Sequence, residues 1–561
     1  MTRRGALRAA AGATATVALL GGGWTAAGAT SPDPRPAPSA VAAVPVPPHT
    51  FSVPDLATSD AIAAAAVTPD SGCGKASATP VKDDTPIVVR IPPAKAFTVG
   101  KISQAMWRTP PVADPAWRLE FYGFMWLPSL AQRAADDGQR KALAVLVDQM
   151  VQFHRLNPDP RSNARGWDEG AAMRRLSAEN CLYSLTGSKR LLSGMKADAN
   201  VQLGSRYYGP PYQPVHNHGV MANLALLRAG TLLDNETWRT TAARRLRSES
   251  VQAFSRQGTS YEQSSAYQRV NISLWNQAAR ALRQLKPGDP AAATITQVTA
   301  KASRIFAWLT EPDRKIVLIG DSDEMTGDTR SSWTARVLRD NQAGLGVGRW
   351  SWNDPRTTYY TVRYGPKIRA HGQQDRGGVT WSALGARVLV GPGRYTYHTT
   401  SSYYGYAKGV ASHNVAYPTK GRLVNTRTAT VTRLSATSTR HGWQMKDSLF
   451  GPAHARSVLV DAKARKLTVT DVFGGRASFV QKWHLDASWR LSSVTNRGRT
   501  ARFTRADGRR LVLTTGGAIA VKKGSTRPVA GWYFPARNRR IQNYEITVSA
   551  RGTTTTTFTI S

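Results

Sequence analysis

The sequence predicts a multi-domain α+β protein in which a helical domain is followed by an antiparallel β-sandwich. Apolar residues recur at helical spacing, block after block, between about residues 97 and 310. After Gly320–Glu324 ("GDSDE") the period becomes two, and strand-like runs are joined by turns rich in Gly, Asp and Asn. The length of 561 residues also favours two or three folding units over one.

The amino-terminal part is predicted to be a secretory signal followed by an extension. Residues 1–29 combine an arginine pair, a short apolar run and a small-residue Ala-Gly-Ala site, which is the pattern of a cleaved signal peptide. The arginine pair also fits the twin-arginine route. The apolar run is too short and glycine-rich to span a membrane. We therefore expect a secreted, extracellular protein without a membrane anchor, with residues 30–95 as an Ala/Pro-rich extension and linker.

The rest of the chain divides at about residue 335. Residues 96–335 contain amphipathic blocks such as "GVMANLALLRAGTLL" and "ISLWNQAARALRQL", separated by short loops, which predicts antiparallel neighbouring helices. Residues 336–561 contain runs such as "TTYYTVRYG" and "ARSVLVDAKARKLTVTDVF", which predict strands and hairpins of a sandwich. A long cleft can form where two such domains meet.

Charge and cysteine content narrow the classes of function. The chain has 75 Lys and Arg against 36 Asp and Glu, a formal net charge of +39. Such a field attracts polyanions, and for an exported protein we expect acidic polysaccharide as the partner and no nucleic acid. A solubility adaptation would give the same charge. Cys73 and Cys181 are the two cysteines, and outside the cytoplasm they could form a disulfide, which the sequence leaves open.

Four stretches carry side chains suited to catalysis: "HNHG", "GTSYEQSSAYQR", "IRAHGQQDRGGVTW" and "YYGYAKGVASHNV". Each also has a structural explanation. Asn217 could cap the helix that follows it, a tyrosine-rich loop usually serves packing, and a lone histidine is often only a hydrogen-bonding group. The carboxylates of "GDSDE" could belong to a solvated turn. The candidate residues are Asn217, His218, Gln263, Tyr267, Arg269, His371, Tyr404 and His413.

Taken together and in order, these stretches resemble the heparinase II/III-like polysaccharide lyases. The resemblance covers about residues 107–561 and implies an incomplete (α/α) toroid followed by an antiparallel β-sandwich. It also implies β-elimination across a glycosidic bond next to a uronic acid. The matching motifs are Asn217-His218, "EQSSAY" ending at Tyr267, "GDSD" at Gly320–Asp323, "HGQQD" from His371, "GPGRYTY" ending at Tyr397, and His413-Asn414.

The resemblance assigns roles to the candidates. The C5 proton of a uronate becomes removable only when a donor shares the charge of the neighbouring carboxylate, a task for Asn217 and His371. A base then takes that proton and an acid protonates the departing O4. Either Tyr267 does both, or His218 accepts the proton and Tyr267 delivers one. Arg269 could lower the pKa of Tyr267, and Gln263, Tyr404 and His413 are implied to bind substrate.

The chain departs from the family at its zinc site. Zinc-containing members use the second His of "HGH", the Asp of "DPG" and the His of "HN", and this chain has Gln373, Gly391 and His413 there. One imidazole and one amide make a poor zinc site. We therefore expect no metal and no other cofactor.

Two other classes of function stay open. A glycoside hydrolase on a helical toroid needs two carboxylates facing each other across the bond, and Asp168-Glu169 or the carboxylates of Asp321–Glu324 are possible pairs. A non-catalytic protein could bind acidic glycans through its charge alone. Both alternatives leave the Asn-His, Tyr and His set without a purpose.

Overall fold

A computed structural model describes residues 72–91, 94–204 and 216–561. The predicted signal segment and most of the predicted extension lie outside these residues, so both stay predictions. Within the described part, a helical amino-terminal half is followed by a sheet-rich carboxy-terminal half, in agreement with the change of period. No described helix is both long and apolar enough to cross a bilayer.

The helical half is built from helices that mostly begin at side-chain caps. Asp114, Asp168, Asn235, Ser264 and Asp289 each accept a hydrogen bond from a first-turn N–H group. The described helices are α1 Gln104–Arg108, α2 Pro115–Tyr122, α3 Leu127–Asp136, α4 Arg140–Leu156, α5 Glu169–Thr186, α6 Leu192–Leu203, α7 Asn217–Leu232, α8 Glu236–Glu249, α9 Ser265–Leu285, α10 Pro290–Trp308 and, in the sheet-rich half, α11 Ser402–Lys408.

Two apolar cores hold these helices together. The first joins α1 to α5 through stacked aromatic rings, with the Trp107 centroid 4.7 Å from that of Phe121 and 5.4 Å from that of Phe124. The second packs α7 to α10 around Trp238 and Trp275. Cys73 and Cys181 form a disulfide that fastens the described end of the extension to α5, so the pairing left open by the sequence is present.

The described strands form three larger antiparallel sheets and three two-stranded ribbons, mostly in the sheet-rich half. The strands are β1 Val88–Val89, β2 Phe97–Thr98, β3 Val337–Asp340, β4 Leu345–Arg349, β5 Tyr359–Arg363, β6 Val379–Ala383, β7 Ala386–Leu389, β8 Ala416–Pro418, β9 Thr430–Ala436, β10 Arg440–Asp447, β11 His454–Asp461, β12 Lys466–Phe473, β13 Ser478–His484, β14 Arg490–Thr495, β15 Thr500–Thr504, β16 Arg510–Thr515, β17 Ala518–Lys523, β18 Ser525–Thr526, β19 Val529–Ala530, β20 Trp532–Ala536, β21 Arg539–Gln542, β22 Tyr544–Arg551 and β23 Thr553–Ile560.

The larger sheets share one core. A five-stranded sheet runs β3-β4-β5-β6-β7, an eight-stranded sheet β14-β15-β16-β23-β12-β11-β10-β9, and a four-stranded sheet β17-β22-β13-β8. Strands β11, β12 and β23 alternate buried and more exposed residues, whereas β4 to β7 are buried along their whole length. The shared core contains Trp381, Trp443, Trp483 and Trp489. Strand β23 lies between β12 and β16, in the interior of the eight-stranded sheet.

Charged side chains connect the two halves where the site forms. Arg387 on β7 pairs with Glu311 at 2.8 Å and with Glu324 at 3.1 Å, both on the segment that follows α10. Tyr533 on β20 also hydrogen-bonds Glu324. These contacts fix the "GDSDE" loop against the sheets and beside the start of α9.

Candidate active site

The amino terminus of α7 presents the first two candidate residues. His216 caps this helix, because its Nδ1 accepts a hydrogen bond from the N–H of His218 at 3.1 Å. The interpretation of Asn217 as the cap is therefore wrong. Asn217 is the first helical residue, and its side chain takes part in a different set of contacts.

A buried carboxylate fixes the orientation of Asn217. The backbone N–H of Asn217 donates to Glu262 Oε1 at 2.5 Å, and its Nδ2 donates to Glu262 Oε2 at 2.9 Å. Burial raises the pKa of Glu262, although His371 and Asn217 act against this. Because the two Glu262 oxygens accept from the backbone N–H and the side-chain amide together, Glu262 sets which end of the amide is the nitrogen. That nitrogen also lies 3.3 Å from His371 Nε2.

His371 stands between two carboxylates. Its Nδ1 is 3.2 Å from Asp321 Oδ2, and its Nε2 is 3.7 Å from Glu262 Oε2. Lys408 Nζ donates to the same Asp321 oxygen at 2.8 Å. Burial opposes ionisation of Asp321, but Lys408 and His371 bring its pKa to about 2. Asp321 is therefore ionised at neutral pH and holds the Nδ1 edge of the ring, which leaves Nε2 facing Asn217.

Tyr267, near the start of α9, stacks on His371. The ring centroids are 3.4 Å apart and the ring planes differ by 9°. The Tyr267 hydroxyl is 3.1 Å from the Tyr397 hydroxyl, which is in turn 3.3 Å from His371 Nδ1. Burial raises the pKa of Tyr267 to about 12, although Tyr397 and Arg394 act in the opposite direction. Tyr267 therefore carries its proton at neutral pH.

His218 completes the group on the side of α5. Its Nε2 is 3.4 Å from Arg174 Nη2, and its Nδ1 is 3.9 Å from Glu169 Oε1. Burial lowers the pKa of His218 to about 4; Glu169 opposes this and Arg174 adds to it. His218 is therefore neutral at pH 7. Because a guanidinium can only donate, Nε2 is the nitrogen with the lone pair.

Four side chains from separate parts of the sequence thus share one site between helices and sheets. Comparison with known families agrees with this arrangement. The profile described as "Heparinase II/III N-terminus" matches residues 92–339, and "Heparinase II/III-like, C-terminal" matches residues 339–561. The chain belongs to the heparinase II/III-like family. The predicted family is therefore confirmed, and since its members are polysaccharide lyases, this chain is one as well. No curated protein matches the chain significantly.

Solved structures show the same fold. A structure described as heparinase III superposes with a TM-score of 0.67 at 15% identity, covering 81% of this chain and 78% of that one. The heparan sulfate lyase HepC from Pedobacter heparinus gives 0.59 at 16% identity, covering 88% and 85%. The Streptomyces coelicolor A3 chondroitin AC lyase, in complex with chondroitin sulphate, gives 0.50 at 11% identity, covering 79% and 74%.

Gln263 and Arg269 have other contacts in this heparinase-like chain than the resemblance implied. Gln263 was expected to bind substrate, and Arg269 was expected to bind substrate and lower the pKa of Tyr267. Gln263 Nε2 donates to the carbonyl of Lys367, and its Oε1 accepts from the N–H of Arg369, so Gln263 supports the loop that carries His371. Arg269 is exposed and donates to the carbonyl of Thr326. The expected lowering of the Tyr267 pKa is wrong: burial raises that pKa, and the arginine that acts against the rise is Arg394.

The tyrosine-rich stretch of this lyase forms a helix instead of the expected loop. Tyr404 lies half-buried on α11 and stays a predicted substrate-binding residue. His413 is buried, and burial lowers its pKa to about 4. His413 therefore lies beneath the surface, where it cannot contact a polysaccharide without a rearrangement of the loop.

Carboxylates considered as the acid pair of a hydrolase are engaged in a helix cap or in ion pairs. Asp168 caps α5 by accepting from the N–H of Gly170 at 3.1 Å. In "GDSDE", Asp321 pairs with Lys408, Asp323 with Arg394, and Glu324 with both Lys315 and Arg387. The interpretation of this loop as a turn with solvated carboxylates is wrong, because each carboxylate has a cationic partner.

The positions of the family's zinc ligands do not suit a metal in this chain. Gln373 Nε2 donates to Asp321 Oδ1 at 3.0 Å and to the Gly393 carbonyl at 3.1 Å. At Gly391 a Cβ atom would lie 2.0 Å from the Leu318 carbonyl oxygen, so no side chain fits there. In the described part of the chain, potential metal ligands gather only at His154, Glu179 and Asp198, outside the catalytic set.

Several members of the site were not identified from the sequence. Glu262 and Tyr397 lie inside quoted motifs, but the sequence analysis gave neither residue a role. Lys408 lies inside the quoted "YYGYAKGVASHNV", two residues after Tyr406. Arg174 lies in the middle of a helix without any local signature, and only the packing of α5 beside α7 brings it to His218.

Proposed function

We propose that the chain is a secreted lyase that cleaves a uronic-acid-containing acidic polysaccharide by β-elimination and leaves an unsaturated uronate at the new non-reducing end. The observation that carries the proposal is the convergence of Asn217, His218, Tyr267 and His371 on one site, with Tyr267 protonated and His218 neutral. In this proposal the site lies in a cleft between an incomplete (α/α) toroid and an antiparallel β-sandwich.

Asn217 and His371 would stabilise the charge that develops on the uronate. The Asn217 Nδ2 and His371 Nε2 lie side by side at 3.3 Å, so a substrate carboxylate that binds next to both nitrogens can receive hydrogen bonds from both when His371 is protonated. Glu262 and Asp321 hold these two groups from behind. Donors fixed in advance in this way stabilise an enolate-like intermediate without reorganisation.

The protonation states favour a division of labour in the proton transfers. His218, with a lone pair on Nε2, would take the proton from C5. The electrons of that C–H bond form the C4–C5 double bond as the C4–O4 bond breaks. Tyr267 would give its proton to O4. For Tyr267 to act alone it would first have to lose its proton, which a pKa of about 12 opposes.

The substrate we propose is a glycosaminoglycan. The net charge of +39 favours a polyanion, and the similar structures named above include a heparan sulfate lyase and a chondroitin lyase. The Cys73–Cys181 disulfide supports an oxidising, extracellular location. Nucleic acid and membrane are not expected partners. The contacts of Gln373 and Gly391 support our expectation that the chain works without zinc.

An ultraviolet assay tests the proposal. The purified protein is mixed with heparan sulfate, chondroitin sulfate, hyaluronan and alginate, and absorbance of the conjugated C4–C5 double bond is followed together with reducing ends. We expect both signals to rise on at least one glycosaminoglycan. Reducing ends without absorbance would replace elimination by hydrolysis, and binding without either signal would leave a glycan-binding protein.

A further inference from the structure

We propose that Arg174 binds an acidic group of the polysaccharide and, until that group arrives, holds His218 by donating to its Nε2. This inference rests on the proposed lyase function. Arg174 would then be a specificity-determining residue that also controls when the base becomes available. Substrate binding would draw the guanidinium away from His218 and expose the lone pair to the C5 proton.

The position of Arg174 supports this role. Its Nη1 donates to the Gly170 carbonyl at 2.8 Å, its Nη2 lies 3.4 Å from His218 Nε2, and its buried Nε has no hydrogen-bond partner among the described residues. Two donors are thus weakly used or unused. A buried N–H without a partner costs free energy, and an oxyanion of the substrate would satisfy it.

Two other cations of the site are already neutralised. Arg394 pairs with Asp323, and Lys408 pairs with Asp321 at 2.8 Å. Among the residues that the structure describes, Arg174 hydrogen-bonds Gly170 and His218 and forms no ion pair with a carboxylate. Arg174 can therefore accept a new anion without breaking an ion pair.

Packing holds the base of the Arg174 side chain and leaves space around its guanidinium. At Gly123 a Cβ atom would lie 3.0 Å from the Arg174 Cβ, and at Gly170 it would lie 2.8 Å from Leu119 and 3.2 Å from Arg174 Nη1. Gly123 therefore leaves room for the start of the arginine side chain, and Gly170 leaves room for its guanidinium. Burial lowers the pKa of Arg174, while Tyr267, Glu169, Asp168 and Glu120 act to raise it.

The acidic group is a carboxylate or a sulfate, and two substrates distinguish them. Arg174→Gln is compared with the wild type on two substrates, hyaluronan, which has no sulfate, and heparan sulfate. Arg280→Gln, on the exposed side of α9, is the charge-matched control. We expect kcat/KM to fall about tenfold or more through KM, because a charged hydrogen bond is lost. A loss on both substrates identifies the carboxylate; a loss on heparan sulfate alone identifies the sulfate. Unchanged kinetics on both would overturn substrate binding by Arg174.

A spectroscopic test does not depend on activity. The full-length protein is labelled at histidine, and the His218 imidazole signal is assigned with His218→Gln. The charged or titratable groups around His218 are Arg174, Glu169, His216 and His371. In Arg174→Gln we expect the pKa of His218 to rise by about one unit, with no change in Arg280→Gln. An unchanged pKa would refute the control of His218 by Arg174 even if the protein proved to be an active lyase.

Discussion

Two buried clusters of this protein use the same residue types for opposite purposes. One is the catalytic set around His218 and His371. The other, which we call the core ion cluster, consists of His154, Glu179, Asp198 and Arg175 within the first helical core. His154 Nε2 lies 2.7 Å from Glu179 and 3.4 Å from Asp198, and Arg175 binds both oxygens of Asp198.

The number of carboxylates around each histidine explains the difference. Burial works against protonation of His154, but Glu179 and Asp198 raise its pKa to about 9. His218 is buried with Arg174 at its Nε2 and one more distant carboxylate, and its pKa falls to about 4. The first histidine is a cation at neutral pH and holds helices together. The second stays neutral and able to accept a proton.

The sheet-rich half repeats the first pattern. His454 lies 2.8 Å from both Asp447 and Asp471, and these carboxylates raise its pKa to about 9 against the effect of burial. Arg456 completes the group by pairing with Asp471 at 2.7 Å. A histidine between two carboxylates therefore signals stability in both halves. His371 also lies between two carboxylates, but there one of them is shared with Lys408 and the other with Asn217.

The largest effect is expected in the catalytic set. Tyr267→Phe removes the proton donated to O4, so we expect kcat to fall about 10²- to 10⁴-fold with an unchanged melting temperature. The ultraviolet assay and a thermal melt measure the two quantities. Tyr183→Phe, on α5 and outside the site, is the matched control and should keep full activity. Activity retained in Tyr267→Phe would remove this residue from the proton transfers.

The core ion cluster should respond in stability and not in catalysis. Glu179→Gln leaves His154 with a single, more distant carboxylate. Breaking a buried ion pair costs about 3–5 kcal/mol, and we expect a smaller loss at pH 7 because burial raises the pKa of Glu179 to about 7. Urea unfolding at pH 7 measures this loss. At low denaturant, the kcat of the folded variant should equal that of the wild type. A Glu179→Gln variant with unchanged stability and reduced kcat would show that the core ion cluster serves catalysis and not stability.

The pH dependence of stability separates the two kinds of histidine. The raised pKa of His154 contributes stability that is complete below about 6.5 and is lost as pH rises through about 9, on the order of 3 kcal/mol. The lowered pKa of His218 has the opposite sign, and its contribution is lost as pH falls from about 6.5 through 4. His154→Gln should flatten the alkaline side of the urea-unfolding profile and leave the acid side unchanged; an unaltered alkaline side would show that His154 is not protonated in the fold.

The smallest effect is expected for the buried glutamate of the catalytic set. Asn217 donates to both oxygens of Glu262, and Glu262→Gln leaves one oxygen for the two donors, so we expect kcat to fall about tenfold. It should lower the midpoint of urea unfolding less than Glu179→Gln, since Glu262 lies 3.7 Å from His371 Nε2 whereas Glu179 lies 2.7 Å from His154 Nε2. A loss of stability as large as that of Glu179→Gln would place Glu262 among the structural carboxylates.

The sequence was informative where chemistry follows local pattern. The change from helical to alternating period locates the two halves, and the motifs around Asn217, Tyr267 and His371 mark the residues that the fold brings together. The cap at His216, the use of Gln263 as a loop support and the approach of Arg174 to His218 could not be predicted. The contacts of Gln263 and Arg174 depend on the packing of elements that are distant in the chain, and periodicity carries no information about distances between faces. The cap at His216 is a local contact, but histidine is not among the residue types that usually mark a helix start.

The position of β23 has a consequence for how the protein is made. Because β23 is hydrogen-bonded to β12 on one side and to β16 on the other, the eight-stranded sheet has a gap until residues up to Ile560 have been synthesised. A nascent chain halted before Thr553 should therefore expose two unpaired strand edges and be readily cut by protease. Translation order should thus delay completion of the eight-stranded sheet until β23 has been synthesised, whereas the strands of the five-stranded sheet are all present once Leu389 has been made.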